Sequence, residues 1–189
     1  DSTHVLFIIA HVFELKCMMF LMNWSLYIGI TLITFILMEG FTWWLHRYVM
    51  HGIGWYLHKD HHQKEPGFFE KNDAFFLIFA IPSWLLIMFG VIYKQYWMIS
   101  IGAGFTLYGL AYFLVHEVII HQRFKWFTRS NNTYVRAIRW AHKMHHKHLD
   151  KEEGESFGML WVHKKYWDKV RADKRRQSKP VEATDTISA

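Results

Sequence analysis

Histidine is the residue type whose number and spacing point to chemistry in this chain. Of 189 residues 14 are histidine, and ten of these form two similar pairs of motifs, each an HxxxxH followed by an HxxHH. The ten are His46, His51, His58, His61, His62, His116, His121, His142, His145 and His146. A chain of this composition would contain about 0.08 HxxHH motifs by chance. Two copies therefore indicate a shared role.

The spacing within these motifs suits metal binding by imidazole nitrogens. Residues at positions i, i+3 and i+4 share one face of a helix, so we expect each HxxHH motif to direct three imidazoles at one place. A spacing of five falls about 140° past a full turn of an ideal helix. Each HxxxxH motif therefore needs a helix end, a bulge, or two metals approached from different directions. Ten converging imidazoles are too many for one metal ion and suit two.

The residues leave the identity of the metal open, because imidazole binds zinc, copper, iron and nickel alike. Haem is disfavoured, since it needs axial ligands from facing helices and these histidines lie at one membrane edge. Neutral imidazoles do not offset the charge of a metal pair, so we expect carboxylates to hydrogen-bond to the ligands from outside. The candidates are Glu39, Asp60, Asp73 and Glu117. The single cysteine, Cys17, excludes a disulfide framework and a four-thiolate iron–sulfur cluster.

Three long uncharged segments must position the motifs. Residues 17–38, 74–93 and 95–115 contain no Asp, Glu, Lys, Arg or His, and about 20 apolar residues cross a bilayer as a helix. The sequence therefore predicts an all-α integral membrane bundle of about three to four spans. Both HxxxxH motifs begin where a span ends, so the histidine-rich metal site should lie at one membrane–water boundary. An ordinary soluble protein and a disordered one are excluded.

The basic residues predict the orientation of this bundle. If all three segments span, 20 of the 22 Lys and Arg residues lie on the side of the motifs, and an excess of these residues marks the cytoplasmic side. We therefore expect a cytoplasmic metal site and C-terminus, with the basic tail beside anionic lipid headgroups and no nucleic-acid partner. The expected organisation has three parts: an N-terminal segment, residues 1–17, that is either an interfacial helix or part of the first span; a membrane-embedded domain, residues 18–165; and a basic disordered tail, residues 166–189.

Further residues flank the histidines in a recognisable pattern. They are Met38-Glu39-Gly40, Trp44-Leu45-His46-Arg47-Tyr48, Met50-His51-Gly52-x-Gly54-Trp55, Gly67-x-Phe69-Glu70-x-Asn72-Asp73, Val115-His116, His121-Gln122-Arg123, Ala141-His142-x-Met144-His145-His146 and Ser156-Phe157-Gly158. With these motifs, about residues 20–165 resemble bacterial β-carotene hydroxylases. Those enzymes belong to the fatty acid hydroxylase and sterol desaturase superfamily of histidine-rich di-iron membrane proteins.

The resemblance implies a specific reaction. Members hydroxylate carbon 3 of each β-ionone ring, so that β-carotene becomes β-cryptoxanthin and then zeaxanthin. They use two iron ions, O₂ as co-substrate and electrons from a ferredoxin-type donor. The resemblance also implies that the ten motif histidines are the iron ligands, that the substrate is a carotenoid held in a lipid bilayer, and that the enzyme lies in a bacterial inner membrane.

Other functions share some of these features. A carotenoid ketolase or a fatty-acyl hydroxylase has similar histidine motifs and differs in the flanking residues. A membrane metal carrier would need ligands along its whole path, yet the mid-span regions around Ile30, Leu86 and Phe105 contain none. The sequence therefore favours the hydroxylase over the carrier.

Overall fold

The computed structural model describes residues 2–64 and 66–178, with side chains for all of these except residues 2–10, 17 and 20. The regular elements in this part of the chain are all helical. In chain order they are α1 (Ser2–Trp44), the π-helix π1 (Leu45–Ile53), α2 (Trp55–His62), a 3₁₀ turn (Lys71–Asp73), α3 (Ala74–Ile92), α4 (Tyr96–Tyr112), the π-helix π2 (Phe113–Ile120), α5 (Thr133–His145) and α6 (Lys164–Gln177). The all-α prediction is confirmed for the described residues.

Three helical segments are long and apolar enough to cross a membrane: His11–Ile53, Lys71–Ile92 and Tyr96–Ile120. Helix α3 covers the predicted second span, and α4 with π2 covers the third. Helix α1 begins at Ser2, so residues 2–17 are continuous with the helix of the first predicted span. Large apolar side chains such as Ile33, Ile36 and Leu37 point outward from α1, as expected of a helix surrounded by lipid.

Residues 2–41 and 67–111 form one compact unit. In it, glycines let α4 approach its neighbours closely. A Cβ on Gly102 would lie 3.0 Å from the Ser83 carbonyl oxygen, and one on Gly104 would lie 2.8 Å from that of Thr31. The Ser83 hydroxyl donates to the Gly102 carbonyl at 2.9 Å, so polar contacts accompany the packing. Gly109, on the same helix, has no atom within 4 Å of its Cβ position.

The described residues within 42–66 and 112–178 form the second unit. Its apolar core consists of residues from π2, α5, α6 and the segment before α6. They are Val115, Ala137, Ile138, Ala141, Val162, Tyr166 and Val170. The side chain of Asn132 accepts hydrogen bonds from the N–H groups of Tyr134 and Val135 and so starts α5.

Helix α6 corrects the expectation of a disordered tail from residue 166. Tyr166 and Val170 lie four residues apart on α6, are buried, and pack into the core with α5. Burial of this narrow apolar stripe stabilises a helix whose other residues are mostly charged. The remainder of the predicted tail, residues 179–189, lies outside the described residues.

Candidate metal centre

The two HxxxxH motifs are positioned by π-helical turns. A π-helix bonds residue i to residue i+5, and the His121 N–H donates to the His116 carbonyl oxygen at 2.9 Å. Residues five apart then stack one turn above each other. The ring centroids are 5.3 Å apart for His46 and His51 and 4.4 Å apart for His116 and His121. Of the three solutions expected for this spacing, the chain uses a bulge in the helix.

The motif histidines gather into two groups, all within the second unit. In each group the candidate ligand atoms lie within 4.8 Å of one another. Centre A consists of His46, His51, His58, His62 and His145. Centre B consists of His61, His121, His142 and His146. The tenth histidine, His116, lies beside centre B, with its Nε2 3.2 Å from the Nε2 of His121.

Each HxxHH motif is divided between the two centres. Helix α2 gives His58 and His62 to centre A and His61 to centre B. Helix α5 and the residue that follows it give His142 and His146 to centre B and His145 to centre A. The expectation that one motif directs three imidazoles at one place is therefore wrong. Residues i and i+4 are only about 40° apart around a helix, but i+3 and i+4 are about 100° apart. The i, i+4 pair stays together, and the i+3 histidine turns to the other centre.

Backbone carbonyls of the loop between α5 and α6 fix four of the five rings of centre A. The Nδ1 atoms of His46 and His51 lie 3.1 Å from the Phe157 oxygen and 3.0 Å from the Lys151 oxygen. Those of His62 and His145 lie 2.9 Å from the His148 oxygen and 3.0 Å from the Glu155 oxygen. A carbonyl only accepts, so each Nδ1 carries the proton and each neutral ring presents an unprotonated Nε2.

These unprotonated nitrogens fit a bound metal. The Nε2 atoms of His51 and His145 are 3.3 Å apart, and two facing lone pairs at this distance repel unless a cation lies between them. Nitrogens that are each about 2.1 Å from one ion lie about 3 Å apart. Centre B has similar spacing, with the His142 Nε2 2.9 Å from that of His121 and 2.8 Å from that of His146. The His62 Nε2 is buried and has no hydrogen-bond partner within the described residues.

Centre B has a carboxylate at its outer edge. The Oε1 atom of Glu117 lies 2.6 Å from the Nδ1 of His116, and its Oε2 atom lies 2.9 Å from the Nε of Arg123. Carboxylates in this position orient a histidine and raise its basicity. Arg123 was noted in the sequence only as part of the flanking pattern, and its contact with Glu117 was not predicted. Its position two residues after His121 was the available signal.

The other predicted carboxylates are placed differently. Asp60 is buried on α2, among the histidines of that helix. Glu39 accepts a hydrogen bond of 2.7 Å from the Tyr108 hydroxyl. The Asp73 side chain accepts from the Glu70 N–H at 3.1 Å in a capping box that precedes α3.

Burial keeps the imidazoles neutral. Loss of solvent lowers the pKa of His61 and His142 well below the usual value, and the nearby histidines lower it further. Burial likewise lowers the pKa of His62 and of His121 to about 4. Because only a neutral imidazole binds a metal, the apolar surroundings favour metal binding at neutral pH.

Comparison with known proteins identifies the family. Residues 31–171 match the family model described as Fatty acid hydroxylase. The chain belongs to the fatty acid hydroxylase family. With three helices apolar enough to span, this member is an integral membrane protein.

Several relatives of this family member carry carotenoid names. It is 40% identical over 139 residues to the beta-carotene hydroxylase of Pseudescherichia vulneris, covering 71% of this chain and 76% of that protein. It is 41% identical over 134 residues to the beta-carotene hydroxylase of Pantoea ananas, covering 70% and 75%. It is 35% identical over 135 residues to the beta-carotene hydroxylase of Paracoccus sp. (strain N81106 / MBIC 01143), covering 70% of this chain and 82% of that protein. No solved structure is significantly similar. The resemblance found in the sequence is confirmed.

Substituting Gly154 tests the loop that holds centre A. A Cβ at this position would lie 2.9 Å from the Phe157 ring and 3.4 Å from the Cε1 of His51. The distance to the Phe157 ring is too short, whereas that to His51 is ordinary van der Waals contact. We expect Gly154→Ala to displace the Phe157 ring, whose centroid lies 5.1 Å from that of His51, and so to lower the metal affinity of centre A about 10- to 100-fold. Metal per chain after dialysis against a graded chelator measures the effect. Gly109→Ala, which meets no atom within 4 Å, should leave metal content unchanged, and equal loss in both variants would contradict the role of the loop.

Acidification should destabilise the centre. The unfolded chain binds protons at histidine below a pH of about 6.5, but in the folded chain the pKa of His62 and His121 is lowered to about 4. Protons therefore favour the unfolded state increasingly as pH falls from about 6.5 towards 4. We expect the unfolding temperature of chelator-treated protein in detergent to fall across this window, and loaded protein to release metal on further acidification. An unfolding temperature that stays constant from pH 7 to 4.5 would contradict this account.

Proposed function

We propose that this chain hydroxylates the β-ionone rings of carotenoids at carbon 3, converting β-carotene to β-cryptoxanthin and then to zeaxanthin. One observation carries the proposal: two adjacent centres of buried imidazoles in a membrane chain 35–41% identical to three proteins named beta-carotene hydroxylase. We propose residues 18–165, together with α6, as the hydroxylase domain.

We propose two iron ions as the metals. The proposed ligands are His46, His51, His58, His62 and His145 at centre A, and His61, His116, His121, His142 and His146 at centre B. The chemistry supplied by bound iron is activation of O₂ towards an unreactive C–H bond. One oxygen atom enters the ring as hydroxyl and the other leaves as water, which requires two electrons and two protons from outside. A ferredoxin-type donor supplies the electrons.

The chain's own residues have three tasks in this reaction. The loop carbonyls hold the rings of centre A in the tautomer that presents Nε2, and burial excludes water from the ligands. Glu117 places a negative charge beside His116 and offsets part of the metal charge. Its pairing with Arg123 keeps the carboxylate in position. We propose Asp60, which is buried on α2, for a similar supporting role. That Glu39 and Asp73 also support the metal ligands from outside stays a prediction.

We propose that the metal centres and the C-terminus face the cytoplasm of a bacterium, at the inner membrane. The distribution of charge supports this orientation, because 20 of the 22 Lys and Arg residues lie on one side of the membrane if all three segments span it. This orientation gives a soluble electron donor direct access to the chain, while the carotenoid arrives through the bilayer.

Removing one imidazole from either centre should abolish hydroxylation. In a host that makes β-carotene, we expect His145→Ala (centre A) and His61→Ala (centre B) to reduce zeaxanthin to background, because each leaves a metal with too few ligands. The control is His148→Ala, since His148 contacts His62 through its backbone oxygen, which alanine retains. Pigments are measured per amount of chain in the membrane fraction.

The pigments formed by the unaltered chain decide between functions. Keto pigments alone would identify a ketolase, and hydroxylated fatty acids with unchanged β-carotene would identify a fatty-acyl hydroxylase. Zeaxanthin made normally by His145→Ala would show that the ligand assignment is wrong. Equal loss in His148→Ala would indicate a folding defect and leave the assignment unsupported.

The Glu117 carboxylate is tested by a substitution that keeps its shape. Glu117→Gln removes the negative charge beside His116, and we expect a 10- to 100-fold loss of metal affinity with little change in helix content. Glu155→Gln is the matched control, because Glu155 contacts His145 only through its backbone oxygen, while its carboxylate pairs with Lys165 at the surface. Competition with a metal-binding dye measures both. Equal affinity in the two variants would exclude the proposed role of Glu117.

A further inference from the structure

An open cleft of about 510 Å³ lies beside α6 in the second unit. Its apolar lining includes Tyr134 from α5, Trp167 from α6, and Leu160 and Trp161 from the loop between them. Trp161 is 80% exposed, which is unusual for the largest apolar side chain. None of the ten motif histidines is among the described residues that line the cleft. The cleft is therefore separate from the two metal centres.

The walls of the cleft are held by defined contacts. The Tyr134 hydroxyl donates to the Leu160 carbonyl oxygen at 2.9 Å, and the rings of Tyr134 and Trp167 have centroids 5.7 Å apart. All three residues pack against the apolar core of the unit. The walls of the cleft are therefore fixed by the packing of α5 against α6.

The rim of the cleft is positively charged. Lys164 and Arg171 belong to its lining, and the Arg171 guanidinium lies 5.8 Å from the centroid of the Trp167 ring. Lys164 also pairs with Asp168 at 2.6 Å. Helix α6 as a whole carries seven Lys and Arg residues and only two Asp residues. An occupant of matching chemistry has an anionic group at the rim and an apolar part against the aromatic walls.

We propose that this cleft binds the phosphate headgroup and the upper part of the acyl chains of an anionic phospholipid. Arg171 and Lys164 lie at the phosphate, and Trp161 and Trp167 lie along the apolar part. Aromatic and basic side chains are the residues that anchor proteins at the membrane interface. An acidic protein would need a complementary patch of about 800 Å² rather than a narrow aromatic cleft.

Lipid binding through insertion of α6 itself does not fit the packing. The apolar residues Tyr166 and Val170 of α6 are buried in the core, so this face is not available to enter a bilayer as an interfacial amphipathic helix does. The cleft, rather than the buried apolar face of α6, is therefore the place on this helix where a lipid can bind. This proposal is independent of the reaction that the metal centres catalyse.

The test is lipid retention by the full-length protein in native mass spectrometry. Wild-type protein is incubated in detergent that contains either phosphatidylglycerol or phosphatidylcholine, and the bound lipid is then counted. We expect each chain to retain one phosphatidylglycerol, at a level at least fivefold above that of retained phosphatidylcholine. The double variant Lys164→Gln/Arg171→Gln should lose most of this retention. Arg175→Gln/Arg176→Gln removes the same charge from the same helix outside the cleft and should keep it. Trp161→Ala, which changes no charge, should also weaken retention.

Three results would overturn the proposal. Equal loss in the two double variants would show diffuse attraction to the charge of α6. Equal retention of both lipids by wild-type protein would show that the anionic group is not recognised. Absence of retained lipid, with binding of an acidic soluble protein that the Lys164→Gln/Arg171→Gln variant loses, would assign the cleft to a protein partner.

Discussion

Facing lone pairs on buried, neutral imidazoles are the interaction on which the rest of this structure depends. The Nε2 atoms of His51 and His145, both unprotonated because their Nδ1 atoms bond to carbonyls, lie 3.3 Å apart. Such an arrangement is unfavourable without a cation and favourable with one. Burial lowers the pKa of His62 and His121 to about 4, so at neutral pH protons do not compete for these nitrogens. The fold therefore holds the ligands ready for metal.

Two helical devices bring these nitrogens together. The π-helical turns allow histidines five residues apart to stack, and the angle between positions i+3 and i+4 sends one histidine of each HxxHH motif to the opposite centre. Helices α2 and α5 thereby contribute to both centres in a reciprocal manner. The two centres nevertheless differ in their supports. Centre A is held by neutral backbone carbonyls, whereas the carboxylate of Glu117 contacts a histidine beside centre B.

The sequence predicted the features that depend on residue type and spacing. The duplicated histidine motifs, the span at Ala74–Ile92 and the contact of Glu117 with a histidine were all expected. The loop carbonyls were not, because any residue provides a carbonyl and only the fold places it. Helix α6 was not predicted, since a segment with this many charged residues is typical of a solvated tail. The spacing of four between Tyr166 and Val170 was the available signal. The division of each HxxHH motif between the two centres depends on where the neighbouring helices lie. The spacing of residues within one motif does not give that position.

The central claim is that one chain holds two metal ions in adjacent centres made of imidazole. Iron analysis combined with X-ray absorption spectroscopy of the purified, loaded protein tests it most directly. We expect two irons per chain, each with nitrogen neighbours at about 2.1 Å, and additional scattering from the more distant atoms of the imidazole rings. One iron per chain, sulfur neighbours, or a spectrum without the outer scattering of imidazole would contradict it.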